Sequence, residues 1–186
     1  MGLDPSRCGP PNVILIATRL EMVEPALRER GIRLIVAATR RLPVDGIEPR
    51  VKSLNYLNNI LARMEASRAG ADEAVLLNHQ GRVAEGSVEN IFIVRDGRLL
   101  TPRTVDGALA GITRQAILEL AMQHEIPADE APLTPYDLHT ADECFLTGTG
   151  AELLPVREID GREMPRCPGP VFRTLAAAFA EMVAGG

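Results

Sequence analysis

The order of apolar and polar residues predicts strands and helices that alternate along most of the chain. Residues 12–18 and 32–39 are apolar runs of the length of a buried strand, and residues 25–30 between them predict a short helix. A longer helix is predicted over residues 55–69, with Gly70 as its stop signal. One side of that helix carries Leu57, Leu61, Met64 and Arg68.

The middle of the chain predicts hairpins, and the second half predicts helices again. Strands are expected over residues 74–77 and 90–95, with a turn at 80–81 between them, and Asp96-Gly97 is a strong hairpin turn into residues 98–101. An amphipathic helix is predicted over residues 113–123, followed by strands over residues 143–146 and 153–159. The last element is an apolar helix through Leu175, Phe179 and Met182. The pattern predicts one α/β domain with mixed strand order, preceded by a segment that belongs to a different structural unit.

Composition and charge narrow the functional classes. The 186 residues suffice for one large domain, and 46% hydrophobic with 24% charged residues argues against disorder. A net charge of -5 argues against nucleic-acid binding, and no apolar run reaches the length of a membrane span. The three cysteines are far apart and the N-terminus lacks an apolar signal core, which favours the cytoplasm. The histidines lack metal-ligand spacing, so no metal site is expected.

The most informative residue is Lys52, because 19 of the 20 basic residues are arginine and Lys52 is the single lysine. An arginine stays protonated in proteins and cannot attack a carbonyl carbon. A lysine amine can do so when burial or a neighbouring charge lowers its pKa. Lys52 stands where an extended segment meets the predicted helix, and Tyr56 follows one helical turn later. A surface lysine and a tyrosine facing water are the alternative for these residues taken singly.

Three further segments carry polar groups that suit a binding site. Glu85 is predicted in a loop that enters a strand and precedes a small-residue bend, so its carboxylate has room to face a cleft; a solvated loop acid is the alternative. Thr113 follows Gly111 at the start of the amphipathic helix, where free N–H groups bind phosphate; simple helix capping is the alternative. Residues 147–150 form a Thr-Gly-Thr-Gly turn that also suits an anion, although such turns are common.

Taken together, these groups indicate one cofactor. Pyridoxal phosphate requires an amine for its aldehyde, an acid for its ring nitrogen and backbone donors for its phosphate. Lys52, Glu85 and the two anion-binding turns supply these groups, and Tyr56 adds a phenol. The convergence therefore predicts an enzyme that uses pyridoxal 5'-phosphate.

The order and the residues of these motifs resemble those of the class IV aminotransferases, the fold-type IV pyridoxal-phosphate enzymes. Within that family they are most similar to the branched-chain amino acid aminotransferases. The resemblance runs from about residue 13 to 179. Its specific parts are residues 51–59, 85–92, 109–114 and 141–156. It implies a mixed α/β fold, the large domain of the D-amino acid aminotransferase-like fold. Residues 44–186 would be this cofactor-binding domain, and residues 1–43 a remnant of the small N-terminal domain.

The resemblance also implies a role for each matching residue. Lys52 matches the lysine that forms the Schiff base and shuttles the proton, and Glu85 matches the acid bonded to the ring nitrogen. Tyr56 matches the tyrosine bonded to the ring oxygen, and Leu109 matches an apolar residue packed on the ring. Ile112, Thr113 and Thr149 match residues that bind the cofactor phosphate. Thr149 and Gly150 also match the turn that binds the substrate carboxylate.

Two departures from the family pattern bear on activity. Gly150 stands where branched-chain enzymes usually have alanine, which loosens the turn. Most of the small N-terminal domain has no counterpart, and that domain normally supplies an arginine to the cofactor phosphate and one wall of the substrate pocket. The resemblance therefore implies weak cofactor binding and poor activity for the chain as it stands.

The expected function is transamination of branched-chain amino acids with 2-oxoglutarate through Lys52, in a cytoplasmic homodimer or higher homo-oligomer. Two sister activities fit the same site, D-amino acid aminotransfer and the aminodeoxychorismate lyase step. The run 55–59 and the turn 148–152 favour the branched-chain enzyme over the D-amino acid enzyme. A non-catalytic domain that keeps only the fold or the cofactor cleft is an alternative from another class.

Overall fold

The computed structural model describes residues 4–18, 23–43 and 45–185, and it shows a mixed α/β fold. Its α-helices are α1 (Pro25–Arg30), α2 (Leu57–Arg68), α3 (Ile112–Gln123), α4 (Pro135–His139) and α5 (Pro170–Ala184). Its strands are β1 (Ile32–Arg40), β2 (Glu73–Leu77), β3 (Val83–Gly86), β4 (Asn90–Arg95), β5 (Arg98–Pro102), β6 (Ala128–Ala131), β7 (Glu143–Gly148), β8 (Glu152–Ile159) and β9 (Arg162–Glu163). Most predicted elements are thereby confirmed to within a few residues.

The strands form one nine-stranded sheet in the order β3-β2-β1-β8-β7-β4-β5-β6, with β9 beside β8. The central strand β1 is parallel to both of its neighbours, β2 and β8. The hairpins β4–β5 and β7–β8 are antiparallel, while β6 returns parallel to β5. The mixed strand order is therefore confirmed. The predicted boundary between residues 43 and 44 falls just after β1, and the division into 1–43 and 44–186 stays a prediction.

Both faces of the sheet are covered, which explains why its strands read as nearly continuous apolar runs. Along β4, Ile91 and Ile93 pack into one cluster, while Phe92 and Val94 face the other side, because successive side chains alternate across a strand. On that other side α3 and α5 cover the sheet with Ile117, Leu120, Leu175 and Phe179. Further along, α2 covers β1 and β2 through a small alanine-rich cluster.

The side of α2 that carries Leu57, Leu61 and Met64 does not face the core. These side chains are exposed, at 69%, 45% and 43% respectively. The helix instead buries Asn59, Ala62 and Ala66. The physical reason is the close approach of α2 to the sheet, where alanines of both elements pack together and larger side chains would not fit.

The prediction of a buried strand over residues 12–18 is also wrong. These residues form no strand, and the apolar run Val13–Ile16 is 81–93% exposed. β-Propensity alone does not make a strand, since a strand needs a partner for its backbone groups. In the described part of the chain, the sheet contains no strand from this run.

The closing helix α5 is anchored to the sheet by a carboxylate. Glu143, at the start of β7, is 1% exposed and accepts hydrogen bonds from Val171 N at 3.1 Å and Phe172 N at 2.9 Å. Helix N-termini present unpaired N–H groups and a partial positive charge, so a buried anion is well placed there. Over the described residues, none of the helices has the length and apolarity needed to cross a membrane.

Candidate active site

A cavity of about 320 Å³ opens where the segment after β1, the bend between β3 and β4, the start of α3 and the end of β7 converge. Seven predicted site residues line it: Lys52, Tyr56, Glu85, Leu109, Ile112, Thr113 and Thr149. Gly150 belongs to the same β7–β8 turn as Thr149 but does not line the cavity. Groups that are almost 100 residues apart in sequence are therefore brought to one place.

Lys52 lies in the irregular segment that precedes α2. Its amine makes no hydrogen bond or ion pair with any of the described residues, so it is available to a bound molecule. Tyr56 is the residue just before α2 and is partly buried. The segment thus presents an amine and a phenol, four residues apart, to the same cavity.

Glu85 lies in a strand and not in a loop, which corrects the expectation drawn from the sequence. It is part of β3, between β2 and the cavity, and only 6% of it is exposed. Its Oε2 accepts hydrogen bonds from Leu109 N at 2.7 Å and from Asn90 Nδ2 at 3.3 Å. Glu85 is accordingly a fixed, buried acid rather than a solvated one.

The charge partner of Glu85 is Arg41, whose Nη2 lies 2.6 Å from Oε1. Both side chains are largely buried, with Arg41 at 13% and Glu85 at 8% exposed. Burial raises the pKa of Glu85 above its ordinary value, and the charges of Arg41, then Lys52 and Arg114, together with the Leu109 amide, oppose that rise.

Asn90 connects Glu85 to the loop before α3. Its Nδ2 also donates to Leu109 O at 2.9 Å, so one amide group ties β3 to that loop. A Cβ at Gly111 would collide with Asn90 Oδ1. Glycine is therefore needed at position 111 for the helix start to approach the sheet this closely.

The helix α3 begins at Ile112, one residue earlier than predicted, and Gly111 is its N-cap without a side-chain hydrogen bond. Thr113 is consequently inside the first turn, and capping does not explain it. The first N–H groups of a helix have no intrahelical partner and carry partial positive charge. Ile112 and Thr113 line the cavity, so these donors face a site where an anion would be stabilised.

Two buried hydroxyls stand beside these amides. Ser87 Oγ and Thr147 Oγ1 belong to residues that are each 1% exposed, and neither atom has a hydrogen-bond partner within the described residues. Both residues line the cavity, and Thr149 follows in the turn after β7. Buried polar atoms are normally paired, so these two indicate room for a polar ligand or ordered water.

A second acid, Glu89, lies at the cavity beside Gly148. Burial, followed by the neighbouring Glu73 carboxylate, raises the pKa of Glu89 to about 8, while the Val88 amide and Arg63 oppose that rise. Two carboxyl groups in contact favour sharing one proton. Glu89 therefore carries a proton near neutral pH and is neutral toward the cavity.

Sequence reasoning did not assign roles to Arg41, Asn59, Asn90 or Glu89. Asn59, Glu89 and Asn90 lie inside motifs that the resemblance had marked, so proximity to Lys52 and Glu85 was an available signal. Arg41 lies outside every marked motif, in a chain with many arginines. Its role depends on the sheet bringing the end of β1 against β3 through β2, which no local pattern indicates.

Comparison with known proteins places this chain in a family. Residues 2–159 match the family of class IV amino-transferases, and the chain belongs to that family. A relative from Methanocaldococcus jannaschii is 52% identical over 183 residues, which are 98% of this chain and 62% of that protein. The branched-chain-amino-acid aminotransferase of Pseudomonas aeruginosa is 44% identical over 166 residues, covering 88% of this chain and 53% of its own length.

Solved structures agree with this assignment. The branched-chain aminotransferase of Thermoproteus uzoniensis, solved with norvaline, superposes with a TM-score of 0.82 and 43% identity over 86% of this chain and 53% of its own. That of Thermobaculum terrenum, in its pyridoxal-phosphate form, gives a TM-score of 0.84 and 36% identity over 88% of this chain and 54% of its own. The expected fold is confirmed, and this chain spans 53–62% of the length of these relatives and structures.

Proposed function

We propose that this chain carries out transamination of branched-chain amino acids with 2-oxoglutarate, using pyridoxal 5'-phosphate held at Lys52. One observation carries the proposal: the single lysine of the chain lines the same cavity as the buried acid Glu85 and the free N-terminus of α3. The branched-chain aminotransferases among the relatives and neighbouring structures support the substrate class. The pyridoxal-phosphate form of one neighbour supports the cofactor.

The residues of the cavity fit this cofactor. The site offers a free amine, a buried carboxyl, a phenol and backbone N–H groups, which are the complements of an aldehyde, a ring nitrogen, a ring hydroxyl and a phosphate. The hydroxyls of Ser87 and Thr147, unpartnered within the described residues, add donors at the same wall. When bound, pyridoxal phosphate supplies an electron-withdrawing ring that stabilises negative charge at the substrate Cα.

Each proposed residue would have a defined role. Lys52 Nζ would hold the cofactor and move a proton to and from the substrate Cα. Glu85 would keep the proton at the ring nitrogen, Tyr56 would bind the ring oxygen, and Leu109 would pack on the ring. The amides of Ile112 and Thr113 and the hydroxyl of Thr149 would bind phosphate, and the turn Thr149–Gly150 would bind the substrate carboxylate.

The apolar part of the cavity suits a branched aliphatic side chain. Leu42, Ile47, Val51 and Val88 line it, and each of them is exposed toward the opening. Burying a Leu, Ile or Val side chain against such a wall is favourable by about 1.5–3 kcal/mol. A neutral Glu89 at the same cavity avoids placing a fixed negative charge beside that side chain.

Two further proposals concern the protein as a whole. We propose a homodimer or higher homo-oligomer, because the exposed apolar side chains of α2 and of residues 13–16 would be covered by another subunit. We also propose a cytoplasmic location, since Cys8, Cys144 and Cys167 are free thiols.

The first experiment tests the covalent attachment. The purified chain is incubated with pyridoxal phosphate, reduced with borohydride and mapped by peptide mass spectrometry, and the adduct is expected on the peptide that contains Lys52. Lys52→Arg is expected to lose the adduct and all transamination of leucine, isoleucine and valine, because a guanidinium is not nucleophilic.

A matched control moves the amine instead of removing it. Arg50 also lines the cavity and, among the residues that the structure describes, is paired with Glu48 alone, so Lys52→Arg combined with Arg50→Lys keeps one lysine in the same segment. This double variant is expected to stay inactive, since the reacting atom must lie within about 3–3.5 Å of its target. Absence of any adduct on the unmodified chain at saturating cofactor would favour the non-catalytic alternative.

A further inference from the structure

Arg41 lies outside the residues assigned above, yet it contacts the acid on which the proposed chemistry depends. It follows β1 directly, and its backbone N donates to Leu77 O in β2 at 2.8 Å. Its guanidinium donates in three directions: Nε to Gly107 O at 3.2 Å, Nη1 to Asn59 Oδ1 at 3.3 Å, and Nη2 to Glu85 Oε1 at 2.6 Å. The side chain is therefore held from β3, α2 and the turn before α3 at once.

The space for Arg41 is kept open by a glycine. Gly107 has a φ of +105°, and a Cβ there would approach Arg41 Cγ to 3.2 Å. The planar guanidinium of arginine has donors on three separate nitrogens, which match the three acceptors around Arg41. A lysine ammonium would present all its hydrogens from a single atom. The surroundings are thus built for an arginine in one orientation.

The hydrogen bonds of Glu85 fit an ionised carboxylate that has one acceptor position still free. Its three neighbours, Arg41 Nη2, Leu109 N and Asn90 Nδ2, are all donors. An ionised carboxylate accepts about four hydrogen bonds, whereas a protonated one must find an acceptor for its own hydrogen. The set leaves one acceptor position on Glu85, which lines the cavity.

We propose that Arg41 is a positioning residue that keeps the buried Glu85 ionised and aims its remaining acceptor position into the cavity. The inference rests on the proposed function, since the donor that this position would receive is the protonated ring nitrogen of pyridoxal phosphate. Lys52 and Arg114 also face Glu85, but Lys52 is engaged by the cofactor in the proposed reaction and Arg114 is paired with Glu130 at 3.0 Å and with Pro102 O. Arg41 is the charge in direct contact.

The experiment measures the protonation of Glu85 in the protein without cofactor. Infrared spectra of uniformly ¹³C-glutamate-labelled protein show a carboxylic C=O band only for a protonated acid, and subtraction of the Glu85→Gln spectrum isolates Glu85 from Glu89. The band is expected to be absent from the unmodified protein at neutral pH. Arg41→Gln is expected to produce it, and Arg41→Lys, which keeps the charge, is expected to remain mostly without it.

A control and a second readout complete the test. Arg40→Gln removes a neighbouring arginine that bonds Ala37 O and not Glu85, so its spectrum is expected to match that of the unmodified protein. With cofactor bound, Arg41→Gln is expected to slow the half-reaction with leucine by about ten- to a hundred-fold. The acidic limb of its pH profile is expected to move to higher pH, with partial recovery in Arg41→Lys.

Two results would overturn the inference. One is a Glu85 carboxylic band in the unmodified protein at neutral pH, a measurement that needs no Arg41 variant to fold. The other is a folded Arg41→Gln protein without that band. If the infrared results are as expected but no pyridoxal phosphate binds, the role of Arg41 stands and the proposed function fails, so the two failures are distinguishable.

Discussion

Two buried carboxylates of the same sheet, Glu85 on β3 and Glu143 on β7, have opposite surroundings. Both are almost inaccessible, at 6% and 1% exposed, and both accept hydrogen bonds from backbone amides. Glu143 is enclosed by the first turn of α5, and a Cβ at Gly169 would collide with its carboxylate. Glu85 faces a cavity and is paired with a buried arginine. Burial and amide hydrogen bonds alone therefore do not identify a functional acid.

What separates the two acids is that Glu85 faces the cavity, whereas Glu143 is closed off by the start of α5. The amides bound to Glu143 belong to a helix N-terminus, whose partial positive charge stabilises the anion without a counter-ion. Glu85 has no helix end of its own, and an arginine takes that place. The first arrangement closes a helix onto the sheet, and the second prepares an acid for a ligand.

The largest expected effect is on catalysis at Glu85. Glu85→Gln is expected to slow the half-reaction with leucine by about 10²–10³-fold, the usual loss when a preorganised charge partner is removed. Because Glu85 is buried against Arg41, a cost of about 1–2 kcal/mol in the free energy of unfolding is expected as well. Single-turnover kinetics and urea melts measure the two effects, and equal rates would exclude Glu85 as the ring-nitrogen partner.

The opposite pattern is expected at Glu143. Glu143→Ala removes both hydrogen bonds from the start of α5 and leaves buried amides unpaired, so it should cost about 2–3 kcal/mol of stability. Cofactor affinity and half-reaction rate should stay within about twofold of the unmodified protein under native conditions. A Glu143→Ala protein that is as stable as the parent would contradict the proposed anchoring of α5.

Two glycines sharpen the comparison because each lies against one of these sites. Both have ordinary φ angles, of −71° at Gly111 and −84° at Gly169. Alanine is therefore disfavoured at these positions only because its Cβ would overlap with a neighbouring side chain. Each substitution is expected to cost about 1–3 kcal/mol through local displacement. Gly111→Ala, which pushes on Asn90, should also weaken cofactor binding in a fluorescence titration, whereas Gly169→Ala should not.

A third arrangement, the shared proton of Glu89 and Glu73, makes the stability of the protein depend on pH. The pKa of Glu89 is raised in the folded state to about 8, so the folded protein holds a proton that the unfolded chain releases above its ordinary value of 4.5. The stability from this group is present below that value and is lost as the pH rises toward about 8. The slope is at most about 1.4 kcal/mol per pH unit.

Urea melts between pH 5 and 8 measure that slope. Glu89→Gln is expected to flatten it, because the amide cannot release a proton. A matched Glu85→Gln series serves as the comparison, and an unchanged slope in Glu89→Gln would show that another group titrates.

The strands and their chemistry were predictable to different degrees. Hairpins such as 90–101 follow from turn residues and apolar runs, both of which are local. The buried face of α2 does not follow from its largest apolar residues, because small alanines, and not large side chains, pack closest to the sheet. Glu85 was placed in a loop because an acid in a four-residue strand interrupts the apolar pattern.

The site shows the same division. Lys52, Glu85 and Thr113 carry their chemistry in their residue type and in the motifs around them, so the sequence was sufficient to select them. Arg41 was not selected, since its importance comes from contacts with residues 18 to 66 positions away. Asn90 similarly acquires its role only when the loop before α3 folds over it.

The parallel pairing of β1 has a consequence for how the chain folds. Its two neighbours, β2 and β8, come from distant parts of the sequence, and the contact from Val36 to Asp160 closes a loop of 124 residues. Loops of this length cost more entropy to close than hairpins, and such pairings form late. During synthesis β1 leaves the ribosome long before β8 exists. Until then one edge of the future central strand, with its unpaired N–H and C=O groups, is open to other chains.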